Sequence, residues 1–122
     1  MIRTIKQVAK YVYKTLGPGH EEAIYRDAMS VELQDRGYTV KTEAPISIQY
    51  TTKKGKKMIV GSGKIDLYVT KAGKYSVIEL KTVSRILKEN SKKTKEDTKE
   101  YYQLKKYLEA LDVETGVLIN FP

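Results

Sequence analysis

Gly63-Lys-Ile-Asp-Leu-Tyr-Val69, then Lys71-Ala-Gly-Lys74, then Tyr75-Ser-Val-Ile-Glu-Leu-Lys81: this stretch, which runs on to Val83, decides the fold. Both runs are rich in β-branched and aromatic residues, and a short turn containing glycine separates them. They therefore read as two strands of an antiparallel hairpin. Side chains alternate along a strand, so Glu79 and Lys81 share a face with Tyr75 and Val77, while Ile78 and Leu80 turn the other way. In the first run Ile65, Leu67 and Val69 share a face, with Asp66 opposite. The hairpin thus gathers Asp66, Glu79 and Lys81 on one side of a sheet. Charges inside such apolar runs are costly unless they are paired or hold an ion.

Two readings account for that cluster. Two neighbouring carboxylates raise one another's pKa, and a hard divalent cation removes the conflict. Such an ion acidifies a bound water, and Lys81 could align that water or meet charge developing on a phosphate. The backbone carbonyl of Leu80, lying between the two side chains, adds another oxygen donor. Phosphodiester hydrolysis would use all of these groups. The competing reading is a cross-strand salt bridge among Asp66, Glu79 and Lys81 on a wet sheet face.

Composition narrows the chemistry. The chain has no cysteine and one histidine, His20, so thiolate sites, disulfides and multi-histidine metal sites are excluded within one chain. Any metal would be oxygen-held, which favours Mg²⁺ or Mn²⁺. At 122 residues, 40% hydrophobic and 31% charged, the expectation is one globular domain over residues 1–122. No apolar run approaches membrane-spanning length and no signal-like segment opens the chain, so a cytoplasmic location away from membranes is expected. A net charge of +8 points to a polyanionic partner, nucleic acid first, against the plainer reading of a lysine-coated surface.

Around the hairpin the chain reads helix, helix, three strands, helix, strand. Ile2, Ile5, Val8, Ala9, Val12 and Leu16 have helical spacing, and Gly17-Pro18-Gly19 ends that helix. A second helix starts near His20 or Glu21, with Ile24, Ala28 and Val31 as one apolar row, extended by Tyr25, Met29 and Leu33, and Gly37 as its stop. Glu22 lies on the edge of this face; a solvated first-turn acid is the ordinary reading there, and position alone does not decide. Tyr38, Val40, Ile46, Ile48 and Tyr50 suggest a bent or edge strand interrupted at Pro45. Lys53, Lys54, Lys56 and Lys57 form a basic turn suited to phosphates. The next strand runs from Met58 to Val69, broken or bulged at Gly61-Ser62-Gly63. Gly61-Ser62-Gly63-Lys64 is no phosphate-binding loop, since Met58 and Ile65 stand where that motif needs Gly and Ser or Thr. After a polar run from Lys88 to Lys99, Asp97 and Glu100 look like a capping pair. The helix they open has Tyr101, Leu104, Leu108 and Leu111 as its core stripe and Gln103 and Tyr107 on a neighbouring one. Gly116-Val-Leu-Ile-Asn-Phe121 reads as a buried strand parallel to the hairpin's second strand.

Asp66 followed by Glu79-Leu80-Lys81 on the next strand resembles the signature of the PD-(D/E)XK nuclease superfamily. Gly19-His-Glu-Glu22-Ala-Ile-Tyr25 is similar to the motif of its small GxxExxY family, and later blocks are similar in order. The resemblance implies an α/β fold: a restriction-endonuclease-like core, a mixed four-stranded sheet flanked by helices, in the order α-α-β-β-β-α-β. It implies a nuclease, an endonuclease among the expectations, acting on DNA with Mg²⁺ or Mn²⁺. Glu22, Asp66 and Glu79 would be the metal ligands and Lys81 the catalytic lysine. Gly19 and Tyr25 complete the first motif. Gln103 and Tyr107 resemble a helix motif that supports the site or touches DNA. The chain departs from the pattern at Ile65, where proline often stands. A homodimer would suit cutting two strands. The alternatives are a non-catalytic nucleic-acid adaptor on the same fold, or an interaction protein with a charged sheet face.

Overall fold

The computed structural model describes residues 1–82, 99–111 and 115–122. The elements are α1 (Ile2–Leu16), α2 (Glu22–Asp35), β1 (Thr39–Thr51), β2 (Lys57–Lys71), β3 (Lys74–Lys81), α3 (Lys99–Leu111) and β4 (Gly116–Asn120). They form one sheet in the order β1-β2-β3-β4, antiparallel except for the parallel pair β3–β4. This is the expected α/β architecture with a mixed four-stranded sheet. The polar run 88–98 and Asp97 of the expected capping pair lie outside the described residues.

Helices cover both faces of the sheet. On one face α1 and α2 bring Ile5, Val8, Val12, Tyr25, Met29 and Leu33 onto Leu67, Val69, Ile78 and Leu80. On the other, Leu104 and Tyr107 of α3 pack with Ile46, Ile65, Val77 and Leu118. Adjacent residues Val77 and Ile78 enter opposite cores, as strand alternation requires. Each fully buried aliphatic contributes roughly 1.5–3 kcal/mol.

Three expectations need correction. Ile24 and Val31 do not face the core: they are 43% and 61% exposed, and α2 buries Tyr25, Met29 and Leu33 instead. Two adjacent apolar stripes compete on this helix, and the sheet accepts the one with the larger side chains. Ile65 does not share a face with Leu67 and Val69 but lies under α3. The face changes where Glu43 takes φ 50°, between the pairs Thr42–Leu67 and Ala44–Ile65. Finally, β2 is bulged rather than broken, and the bulge sits just before the glycines, not within them. The register slips between Ile48–Gly61 and Gln49–Ile59, so the extra residue is Val60. Gly63 serves another purpose: a Cβ there would lie 2.6 Å from the Tyr107 hydroxyl, so α3 can settle on β2 only over a bare backbone.

The first two strands outgrow their neighbours. β2 pairs with β3 only from Leu67 to Lys71, whereas its pairing with β1 continues to Lys57. The β1–β2 ribbon therefore extends past the β3 pairing as an arm.

Candidate active site at the split between β2 and β3

The antiparallel ladder closes from the turn Lys71-Ala72-Gly73-Lys74 down to Leu67–Ile78 and then stops. The next facing residues are Asp66 and Glu79, and their carboxylates take over the bonding. The Asp66 N–H donates to Glu79 Oε1 at 3.2 Å, and the Leu80 N–H donates to Asp66 Oδ2 at 2.7 Å. Beyond this point β3 stays paired with β4 through Lys81–Asn120, while β2 stays paired with β1. The sheet thus opens between its two middle strands, with an acid on each lip. In β3 the Val77 N–H bonds Thr115 and the Lys81 carbonyl accepts from Phe121. Odd residues therefore serve β4, and by alternation Leu80 turns its N–H and its carbonyl toward the opening.

Glu79 is 4% exposed. Burial, then the charge of Asp66, pushes its pKa up to about 8, against the opposing pull of the Asp66 N–H and of Lys81. Glu22 is the first residue of α2, whose positive end favours an acid there. Its pKa is also raised, by burial first and then by the charge of Asp66, while Lys81 and Arg26 draw it down. Glu22, Asp66, Glu79 and Lys81 thus lie within mutual electrostatic reach, although they come from three elements. Among the described residues, no three acidic side chains are grouped tightly enough to hold an ion as they stand. Nor does an ion pair join Lys81 to either hairpin acid among these residues; the pairs formed are Arg26 with Asp27 and with Glu43. The cross-strand salt bridge is therefore not formed, and the acids bond backbone amides instead.

The remaining residues named by the sequence are placed around this opening. Gly19 has φ +95°, a conformation few side chains tolerate, in the turn that leads into α2. Tyr25 is buried; its hydroxyl donates to the Gly17 carbonyl at 2.6 Å and accepts from the His20 N–H at 3.3 Å. Its ring stacks on Phe121 at 4.5 Å, and the Phe121 N–H bonds the Lys81 carbonyl. Tyr25 therefore ties the Gly-Pro-Gly turn to the strand end that carries Lys81, and so fixes where α2 presents Glu22. His20 places its ring Nε2 3.0 Å from the Leu16 carbonyl, at the end of α1. Gln103 donates to the Tyr107 hydroxyl at 2.9 Å, on the α3 face of β2 above Gly63. Arg26 escaped the sequence reading. It stands one turn after Glu22, within electrostatic reach of Asp66, and bonds Glu43 at 3.0 Å. The four-residue spacing was the available signal, but an arginine at that spacing is common on any exposed helix.

A layered α/β/α fold whose sheet splits at an Asp on one strand and Glu-x-Lys on the next defines a restriction-endonuclease-like domain. A family model described as the PD-(D/E)XK nuclease superfamily matches residues 1–122, and the chain belongs to that superfamily. No curated protein and no solved structure matches.

Proposed function

We propose that this protein is a metal-dependent nuclease that hydrolyses phosphodiester bonds in DNA, with Glu22, Asp66, Glu79 and Lys81 as its working groups. The observation that carries this reading is the opening itself. A buried carboxylate with its pKa pushed up to about 8 faces a second acid where two strands part. Such an arrangement costs stability and has no structural benefit that an apolar pair would not supply better. Carboxylate oxygens of Glu22, Asp66 and Glu79, with the Leu80 carbonyl, make the all-oxygen donor set that Mg²⁺ or Mn²⁺ takes. When bound, such an ion polarises the phosphodiester and acidifies a water. Lys81 orients the attacking water or meets the charge that grows on the phosphate. Glu79 must give up its proton to ligate, which its position beside Lys81 eases. A chain of this size covers little of a duplex, so cutting both strands calls for two copies. Resemblance at Gly19, Glu22 and Tyr25 supports the GxxExxY family within the superfamily.

One observation favours a second reading, a non-catalytic nucleic-acid adaptor: the acids are not drawn together as an ion-holding group in the described residues. Incubation with supercoiled plasmid and with single-stranded DNA, in Mn²⁺, Mg²⁺ or EDTA, separates the two. The nuclease reading expects metal-dependent nicking that EDTA stops. DNA binding without cleavage in any metal supports the adaptor.

A further inference from the structure

The arm formed by β1 and β2 is the part of the molecule that the active site does not explain. Between residues 44 and 64 it carries Lys53, Lys54, Lys56, Lys57 and Lys64 and no acidic residue, so five of the chain's eight net positive charges sit here. All five lysines are exposed. The tip is held by its backbone and one threonine. The Thr52 N–H bonds the Lys56 carbonyl at 2.7 Å, the Gly55 N–H bonds the Thr52 carbonyl, and the Lys56 N–H bonds Thr52 Oγ1 at 3.0 Å. None of these bonds uses a lysine side chain. Just behind the tip, Met58, Ile59 and Val60 are three consecutive apolar residues at 49–64% exposure, with Val60 the bulge. Exposed apolar residues gathered at one place on a ribbon can serve as a contact surface. At its other end the arm enters the active site, since β2 runs without interruption from Lys57 to Asp66.

We propose that this arm lies in a groove of duplex DNA, with its tip lysines on the phosphates and its apolar segment against the sugars and base edges. The inference rests on the nuclease reading only for the direction in which the duplex leaves the site. The major groove, about 12 Å wide, admits a two-stranded ribbon. The nine steps from Asp66 to Lys57, at about 3.3 Å each, span about 30 Å. That is close to one turn of B-form DNA, about 34 Å. The lysines therefore meet phosphates about nine base pairs from the scissile bond. A second copy of the chain or another protein would also cover the apolar residues, but neither answers five lysines on an arm whose residues 44–64 include no acid.

The test measures binding in EDTA, where cleavage does not intervene, by fluorescence anisotropy on a 30-base-pair duplex from low to moderate salt. The probe is compared for wild type and for the variant combining Lys53→Ala, Lys54→Ala, Lys56→Ala and Lys57→Ala. Each phosphate contact contributes about 0.9 to the slope of log affinity against log salt. The variant is expected to be shallower by about 3 to 4 with an unchanged melting temperature, and Ile59→Thr with Val60→Thr to weaken binding without changing the slope. Trimming the duplex below about nine base pairs on the arm side should weaken wild type and leave the lysine variant indifferent. An unchanged slope overturns the proposal. So does a slope change seen only on single strands, or an Ile59/Val60 variant that alters oligomeric state and leaves DNA affinity intact. Loss of slope in a protein that never cleaves would sink the nuclease reading and leave the arm standing.

Discussion

The two ends of the β2–β3 hairpin follow opposite rules. At the turn end, Leu67, Val69 and Ile78 are buried and the backbone ladder is complete. One residue pair further on, the ladder is replaced by bonds from backbone amides to two carboxylates, and one of these is buried. The first end gains stability from apolar burial and satisfied amides. The second gives up some of it to hold two acids side by side where two strands diverge, one of them buried. If the open end is the catalytic one, stability and chemistry are separated along a single strand, and substitutions on either side of Asp66 should act on different quantities.

The largest effect expected is on catalysis. Glu79→Gln should lower metal-dependent cleavage by on the order of a thousandfold or more, the equivalent of about 4 kcal/mol of lost charge stabilisation. The same change should leave the metal-free fold about as stable as wild type at pH 7, where Glu79 already holds its proton, and more stable above about 8, where a carboxylate would oppose Asp66. Leu67→Ala, one step past Asp66, should do the reverse. It should cost about 2–5 kcal/mol in urea unfolding with little change in cleavage per folded molecule. If Glu79→Gln unfolds the protein instead, the two ends do not differ in the way described.

The pH dependence sharpens the same contrast. Glu79 in the folded state titrates at about 8, above its ordinary value of 4.5, so between those values the folded protein holds a proton that the unfolded chain has lost. Metal-free stability should therefore fall as pH rises from about 4.5 to about 8 and level off above that. One proton's difference sets the steepest fall, roughly 1.4 kcal/mol for each whole step in pH. Glu22, whose pKa is raised as well, adds to the slope. Glu79→Gln should flatten most of it, as seen by thermal melts across that range, whereas Leu67→Ala should lower the whole curve without changing its shape.

Smaller effects test the supports. Tyr25→Phe removes the hydroxyl between the Gly17 carbonyl and the His20 N–H while keeping the ring stacked on Phe121. It should cost about 1–3 kcal/mol by melting and also lower cleavage, since the turn that presents Glu22 loosens. Smallest is the closed end's own turn, where Ala72 takes φ 52° beside Gly73 at φ 78°, the two-residue turn that prefers Asn-Gly or Gly-Gly. Ala72→Gly should raise stability by about 0.5–1 kcal/mol, with cleavage unchanged.

The sequence made the fold and the acids legible because both announce themselves locally. Alternating apolar residues define strands whatever packs on them, and Asp66 and Glu79 stand out as charges inside such runs. Parallel pairing of β3 with β4 followed from the length of the intervening chain. The facing of Ile65 was not legible, because it depends on one strained residue of β1, Glu43, that reverses the alternation at Asp66. Nor was the choice between two apolar stripes on α2, which the sheet decides. Gly61-Ser-Gly63 suggested a break or bulge, and the bulge falls one residue before it, but Gly63 itself answers to Tyr107, 44 positions away along the chain. Tyr25 was visible as a motif residue, but its purpose depends on contacts with Gly17 and Phe121 at both ends of the molecule.

Isothermal titration of Mn²⁺ into the metal-free protein at pH 7, in two buffers of different ionisation enthalpy, addresses the site most directly. A cation held by Glu22, Asp66 and Glu79 must displace the proton that Glu79 holds below about 8. The predicted result is saturable binding with close to one proton released per ion, fading toward zero above pH 9 and abolished in Glu79→Gln. Binding with no proton release, or heats identical in Glu79→Gln, would place any bound ion elsewhere and contradict this assignment.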